Sequence, residues 1–320
     1  MYDIITVGSA TVDTFIETEG KYCKNGLYSF PVGEKLLTKS VRNYTGGSAT
    51  NTSVGFSKLG LKVAAVCSIG VGNNSERVMG NLKENGVDTR FVERKKNQRT
   101  GFSIILNAKH KDRTIFAFKG SNDLLCKDCM DDKALYLTKW MYFGSLMGKS
   151  FETFKKLVKM CHEKGIKVAF NPSHYLAKQG TKMLGEVLSY CDVVILNKEE
   201  AQVLFKQKDV MKCLKGFHKL GVEVSVITDG SGTIHAYDGF RCYTVKPHKI
   251  NVVETTGAGD AFATGFVGAL VKGLSVGDAI PMGLSNSQSV ITHFGAKDKL
   301  LSWDEVQVAV KKAKYKVVAC

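Results

Sequence analysis

Short apolar runs alternate with longer amphipathic stretches along most of this chain. The runs Ile4–Val7, Val63–Cys67, Trp140–Phe143, Lys167–Phe170, Asp192–Leu196 and Glu223–Thr228 are brief, rich in β-branched and aromatic residues, and predict strands. Between them, Ala49–Leu59, Ser75–Asn85, Ser150–Lys164, Thr181–Tyr190, Lys198–Phe205 and Val210–Leu220 place their apolar residues at helical intervals and predict helices. Glycine follows several of these stretches, at Gly60, Gly86, Gly165 and Gly221, where a left-handed residue commonly ends a helix. Strand and helix alternating at this length imply a parallel sheet covered by helices on both faces.

Two segments break the rhythm. Residues 14–45 contain short β-like pieces around Tyr28-Ser29-Phe30 and Lys35-Leu36-Leu37, with no helix. Residues 100–118 read as a hairpin, Gly101–Leu106 and Thr114–Phe118, around the polar turn Lys109–Lys111. Both follow predicted strands, and ligands of α/β sheets sit at the carboxyl ends of the strands. A small sheet over that end, acting as a lid, is the expected placement. The same sheet could pair two copies of the chain.

Composition narrows the picture. At 320 residues and 44% apolar content, the chain can bury one large core, and residues 1–320 are expected to form a single domain. No uninterrupted apolar run approaches the roughly 18–20 residues of a membrane span. The amino-terminal Ile4-Ile5-Thr6-Val7 is too short for a signal segment, so a soluble, cytoplasmic protein is expected. The nine cysteines have no framework spacing and read as small apolar residues of a reducing compartment. One pair, Cys126-Lys127-Asp128-Cys129, has the spacing of half a zinc or redox site, without a second pair or a nearby histidine. The net charge of +15 invites a nucleic-acid reading. However, lysine and arginine cluster only at 94–99 and 311–316, and no nucleic-acid-binding motif accompanies them. Solvated helix surface, with some attraction for a polyanion such as ATP, is the expected outcome.

The chemistry concentrates in glycine turns. Gly257-Ala258-Gly259-Asp260 opens an apolar helical stretch, so backbone N–H groups and the positive end of a helix dipole converge on one point. A carboxylate beside an anion site suits phosphoryl transfer, where an acceptor hydroxyl must lose its proton; a helix-start Asp that complements the dipole is the plain alternative. Gly46-Gly47 leads to Asn51, which can donate to and accept from a hydroxyl, or simply begins a helix capped by Ser48. Asp13, after the first strand, could accept two hydroxyl hydrogen bonds. Asn197 and Glu200 form a capping-box pattern and could alternatively hold magnesium-bound water. Thr228, Gly230 and Gly232 either turn backbone N–H groups toward a phosphate or enter the β pair Thr233–Tyr237 and Phe240–Val245.

In this order the motifs resemble the ribokinase-like (PfkB-type) carbohydrate kinase family across nearly the whole chain. The family's glycine-turn signature falls on Gly46, Gly47 and Asn51, its carboxyl-terminal signature on Thr255, Gly257, Ala258, Gly259 and Asp260, and its N-x-x-E motif on Asn197 and Glu200. Asn171-Pro172, and Asn122 after Gly120-Ser121, also look like family positions. The resemblance implies a three-layer α/β/α sandwich with a mainly parallel central sheet and a small β lid. It also implies an enzyme that moves the γ-phosphoryl of ATP to a primary hydroxyl of a sugar. Asp260 would be the general base and the 257–259 backbone the anion hole. Asp13, Gly46, Gly47 and Asn51 would bind the acceptor; Asn197 and Glu200 would arrange Mg2+ through water; Thr228, Gly230 and Gly232 would lie along the nucleotide. A homodimer through the lid is a further expectation.

Two departures are visible. Glu254 stands where the family usually has Asp, beside a loop that shapes a monovalent-cation site in many members, which puts K+ activation in question. Ser48-Ala49-Thr50 differs from the run typical of ribokinase itself, which loosens the tie to ribose. A nucleoside kinase is the runner-up within the family, with Phe116, Phe118, Tyr28 or Phe30 stacking a base. A ligand-binding regulator without catalysis is the runner-up from another class, but it would have no need of Asp260.

Overall fold

The structure is a computed structural model that describes residues 1–108, 113–126, 129–130 and 132–319. The expected turn at Lys109–Lys111, and Lys127-Asp128 of the cysteine pair, lie outside the described residues. The chain starts with β1 (Ile4–Val7), passes into a separate small sheet as β2 (Thr11–Thr18), the ribbon β3 (Cys23–Lys24) and β4 (Leu27–Tyr28), then β5 (Ser40–Gly46). It returns through α1 (Ser48–Lys58), β6 (Val63–Val71), α2 (Asn73–Glu84) and β7 (Val92–Arg99). A second excursion forms β8 (Gly101–Ala108) and β9 (Thr114–Phe118). The short α3 (Asp132–Leu135) leads to β10 (Trp140–Phe143), α4 (Lys149–Glu163) and β11 (Lys167–Phe170). Next come α5 (His174–Ala177), α6 (Gly180–Ser189), β12 (Val193–Asn197), α7 (Lys198–Phe205), α8 (Val210–Lys219) and β13 (Val224–Thr228). Then β14 (Ile234–Tyr237) and β15 (Cys242–Val245) precede α9 (Ala258–Val271), α10 (Val276–Val290), α11 (Trp303–Ala313) and β16 (Val318–Ala319).

The central sheet has ten strands in the order β16-β15-β14-β13-β12-β11-β10-β1-β6-β7. It is parallel from β13 to β7 and antiparallel from β13 to β16. Strands buried on both faces need apolar residues of both parities, and these have them. Val193 and Ile195 join the core under α1, α9 and α10, while Val194 and Leu196 join the core under α4, α6 and α8. The expected three-layer α/β/α sandwich is the observed architecture. No helix among the described residues is long and apolar enough to cross a membrane.

The second sheet, in the order β5-β2-β8-β9, is the lid. Its hairpin β8–β9 is as expected, but its other half is not. Lys35-Leu36-Leu37 forms no strand, and Leu37 is 84% exposed. The lid is completed instead by β2 and β5, paired antiparallel from Thr11↔Gly46 to Glu17↔Ser40. The basic cluster at 94–99 also proves to be structural: it lies in β7, the outer strand of the central sheet, where lysine and arginine blunt an edge against further pairing.

Candidate active site

The first turn of α9 lies between two cavities. Gly257 precedes it with φ of +83°, in the left-handed region a β-carbon disfavours, and a side chain there would strike Ala296. Ala258 and Gly259 line a cleft of ≈ 1010 Å³, together with Thr228, Gly230 and Ser231 and the apolar Ile234, Phe262, Leu284 and Ile291. Asp260, the next residue, lines a smaller cavity of ≈ 310 Å³ shared with Ser48, Asn122, Asn171 and Glu200. One helix start therefore presents backbone to one side and a carboxylate to the other. The neighbouring α10 fixes it: Ser287 Oγ donates to Ala258 O at 3.0 Å, and Asn286 Nδ2 donates to Ala261 O at 2.8 Å. Within the turn, Ala258 N–H donates to Thr255 O at 3.2 Å.

Asp260 does not stand alone. Asn51, on the buried face of α1, donates from Nδ2 to Asp260 Oδ2 at 2.8 Å. That contact needs α1 to begin close to the β1–β2 link. Gly47 permits it with φ of +98°, and a β-carbon there would meet Ser9 O at 2.5 Å. Gly46 likewise leaves room for the carboxyl of Asp13, which accepts from Thr11 Oγ1 at 3.4 Å. The two glycine turns, Asp13, Asn51 and Asp260 thus meet in space.

Sequence reasoning missed Lys297. The turn after α10 carries its ammonium to Thr45 O at 2.6 Å and Asn51 Oδ1 at 3.2 Å, among Asp13, Asp260 and Asp298. Burial pushes its pKa down to about 7 against the pull of those carboxylates. Burial pushes Asp260 up to about 6; the Asn51 hydrogen bond and Lys297 oppose the shift and Asp13 adds to it. Asp13 is raised by burial too. Tyr142 on β10 was read only as a strand residue. Its hydroxyl is buried without a hydrogen-bond partner among the described residues, and its pKa is raised first by burial and then by the charge of Asp260.

The remaining expected residues divide between scaffold and cavity. Asn197 and Glu200 form a true capping box on α7, Glu200 N to Asn197 Oδ1 at 2.8 Å and Asn197 N to Glu200 Oε2 at 3.0 Å. Glu200 also lines the Asp260 cavity, and burial raises its pKa. Thr228 and Gly230 line the larger cleft, whereas Gly232 N–H closes a turn onto Asp229 O at 2.6 Å. Asn122 clamps Ala10 through both backbone groups, at 2.8 and 3.0 Å. Glu254 is buried. Its Oε1 accepts from Thr255 N–H, Thr256 N–H and Thr256 Oγ1 at 2.8–2.9 Å. Arg113 of the lid lies 3.6 Å from the same oxygen and donates to Thr255 Oγ1 at 2.8 Å. No group of three or more His, Cys, Asp or Glu that could hold a metal is present among the described residues, and burial pushes the Cys129 thiol up to about 12.

Comparison with known proteins adds to this geometry. The family described as pfkB family carbohydrate kinase matches residues 1–303. Ribokinase of Haemophilus influenzae is 24% identical over 84% of this chain and 88% of its own length. Two solved structures share the fold. Methanocaldococcus jannaschii nucleoside kinase has a TM-score of 0.79 at 22% identity, covering 97% of this chain and 98% of that one. Arabidopsis thaliana ribokinase complexed with ribose and ATP has a TM-score of 0.81 at 20% identity, covering 97% and 99%.

Proposed function

The chain belongs to the pfkB family of carbohydrate kinases, and on that premise we propose that it transfers the γ-phosphoryl of ATP to a primary hydroxyl of a sugar. The observation carrying this reading is the placement of Gly259 and Asp260, adjacent in sequence, on opposite sides of one helix start. The larger cleft suits a nucleotide: its lining holds glycine backbone for phosphates and apolar side chains for a base. The Asp260 side of the turn suits the acceptor, beside Asn51, which bonds Asp260, and Asp13, whose charge acts on it, with Asp260 taking the hydroxyl proton. A base near pKa 6 is ionised at neutral pH yet basic enough to share a proton in the transition state.

Asp13, Gly46, Gly47 and Asn51 hold the acceptor's hydroxyls, and the 257–259 backbone forms the anion hole. The incoming phosphoryl competes with Thr255 O for the Ala258 N–H. Each anion-hole donor contributes on the order of 10²–10³ in rate, and a positioned base about 10²–10⁴. Thr228, Gly230 and the turn closed by Gly232 lie along the nucleotide. Magnesium, when bound with ATP, supplies charge neutralisation at the phosphate oxygens. Glu200 fits a role in ordering its water, because a carboxylate that accepts one capping bond keeps further acceptor sites. Glu254 already meets three protein donors and Arg113, which supports a turn held by protein groups in place of K+. The free cysteines and the use of ATP fit a cytoplasmic enzyme.

A coupled ATP-turnover assay over pentoses, hexoses, sugar phosphates and nucleosides tests the reading, run in potassium and in sodium buffer. The expected result is turnover on a sugar, equal in both buffers, and lost by at least about 10²-fold in Asp260→Asn while ATP binding persists. Near-normal turnover in that variant would overturn the assignment of the base. Preference for a nucleoside would move the acceptor class within the same chemistry.

A further inference from the structure

The acceptor pocket brings together more negative charge than a hydroxyl needs. Asp13 from the lid strand β2 and Asp260 from α9 are both desolvated, and the charge of Asp13 raises the cost of ionising Asp260. Two carboxylates in one dry site tend to share a proton rather than both ionise. A base that keeps its proton cannot accept another, so this pocket requires a cation or surrenders Asp260.

Lys297 is placed to be that cation. It comes from none of the motifs but from the turn between α10 and α11, and Gly295 and Ala296 pack its base against Tyr44 and Gly257. Its ammonium donates to Thr45 O and to Asn51 Oδ1. The Asn51 amide is thereby oriented: its oxygen faces Lys297, so its nitrogen must face Asp260, where it donates at 2.8 Å. Reversing the amide would set two donors against each other and an oxygen against the carboxylate. The chain Lys297–Asn51–Asp260 runs one way only. We infer that Lys297 is a positioning residue for phosphoryl transfer, fixing Asn51 so that it aligns the Asp260 carboxylate and balancing the negative charge that Asp13 and Asp260 bring to one pocket.

The inference rests on the kinase reading above, and it deepens that reading at the acceptor site. The charged or titratable groups facing Asp260 are Asp13, Lys297 and Tyr142, with Glu200, Asp123, Lys119 and Tyr175 around the cavity that Asp260 lines. Those facing Lys297 are Asp13, Asp260 and Asp298, with Glu76, Arg77 and Glu84 of α2 around the cavity of ≈ 550 Å³ on its outer side. Lys297 is the cation whose charge acts on both carboxylates, whereas Lys119 lines the cavity of Asp260 and Arg77 the outer one. Lys297 holds its own charge weakly, being pushed down to about 7. The pocket is therefore fully charged only over a narrow pH range, with Asp260 ionised and Lys297 protonated.

The test compares wild type with Lys297→Met and Lys297→Gln; the latter keeps amide donors without charge. Turnover against pH is measured on the acceptor found by the substrate panel. Both variants are expected to shift the acidic limb upward by about one pH unit or more, as loss of an adjacent opposite charge does. Turnover at pH 6.5 should fall by about threefold or more, with the KM for ATP unchanged. A lysine that merely anchors its turn would lower the melting temperature and leave the limb in place, and that result overturns the inference. So would a wild-type profile in Lys297→Gln.

A second measurement needs no acceptor. The carboxyl of Asp260 is followed by infrared difference titration, identified by its loss in Asp260→Asn, with and without Lys297→Met. An unmoved midpoint overturns the coupling. A midpoint that rises by about a unit in a protein that phosphorylates nothing in the panel sustains the coupling and rejects the kinase reading.

Discussion

Asp260 and Lys297 are each held in the charge state that folding disfavours, and stability should show it. Asp260, raised to about 6, binds its proton more tightly in the folded than in the unfolded chain, so stability falls as pH rises from the usual carboxylate range toward 6. Lys297, lowered to about 7, gives up its proton more easily when folded, so stability rises from about pH 7 toward the usual lysine range. The site therefore contributes a shallow minimum between the two. Asp260→Asn removes the falling limb and should be more stable than wild type at pH 7 by on the order of 2 kcal/mol, measured by urea unfolding at pH 4.5, 7 and 9. A less stable variant at pH 7 would contradict this account. Lys297 was invisible in the sequence because Gly-Ala-Lys-Asp-Lys reads as a solvated turn; only the packing of that turn on Gly257 and Tyr44 brings it inward. Tyr142 was hidden for the opposite reason, since an aromatic residue in an apolar strand needs no further explanation.

Among the elements, the buried strands could be read almost to the residue. β1, β10 and β11 and helix α7 have the expected boundaries, because a strand covered on both faces is a solid apolar run with polar ends. The lid strands β2 and β5 could not be read this way. They mix Thr, Glu, Asn and Arg, and β2 finds its partner β8 about ninety residues away, so local pattern says little about them. Helix α7 resolves a different ambiguity. Glu200 is both its capping-box residue and a wall of the Asp260 cavity. Glutamine serves a capping box as well as glutamate does, so Glu200→Gln should hold stability within about 0.5 kcal/mol. The magnesium concentration needed for half-maximal turnover should rise several-fold. If instead Glu200→Gln unfolds more easily and its magnesium dependence is unchanged, the role is structural alone.

At the scale of the molecule, the lid leaves one strand uncovered. Ile115, Phe116 and Phe118 of β9 are 47%, 59% and 46% exposed, on the outer edge of the four-stranded sheet. Such an edge invites a second strand, and we propose that a second copy of the chain covers it. Phe116→Asp should convert a dimer into a monomer by light scattering; a wild-type monomer at micromolar concentration would remove the proposal. The lid also touches the site in its own chain, because Arg113 bonds Thr255 in the turn that precedes α9. On the proposed kinase reading, a product that left from beneath the lid would part that bond, and the loop proposed to hold the phosphoryl would then lose its outer support. Loading and unloading would then be mechanically joined, each departing product handing back a relaxed turn for the next closure to set again.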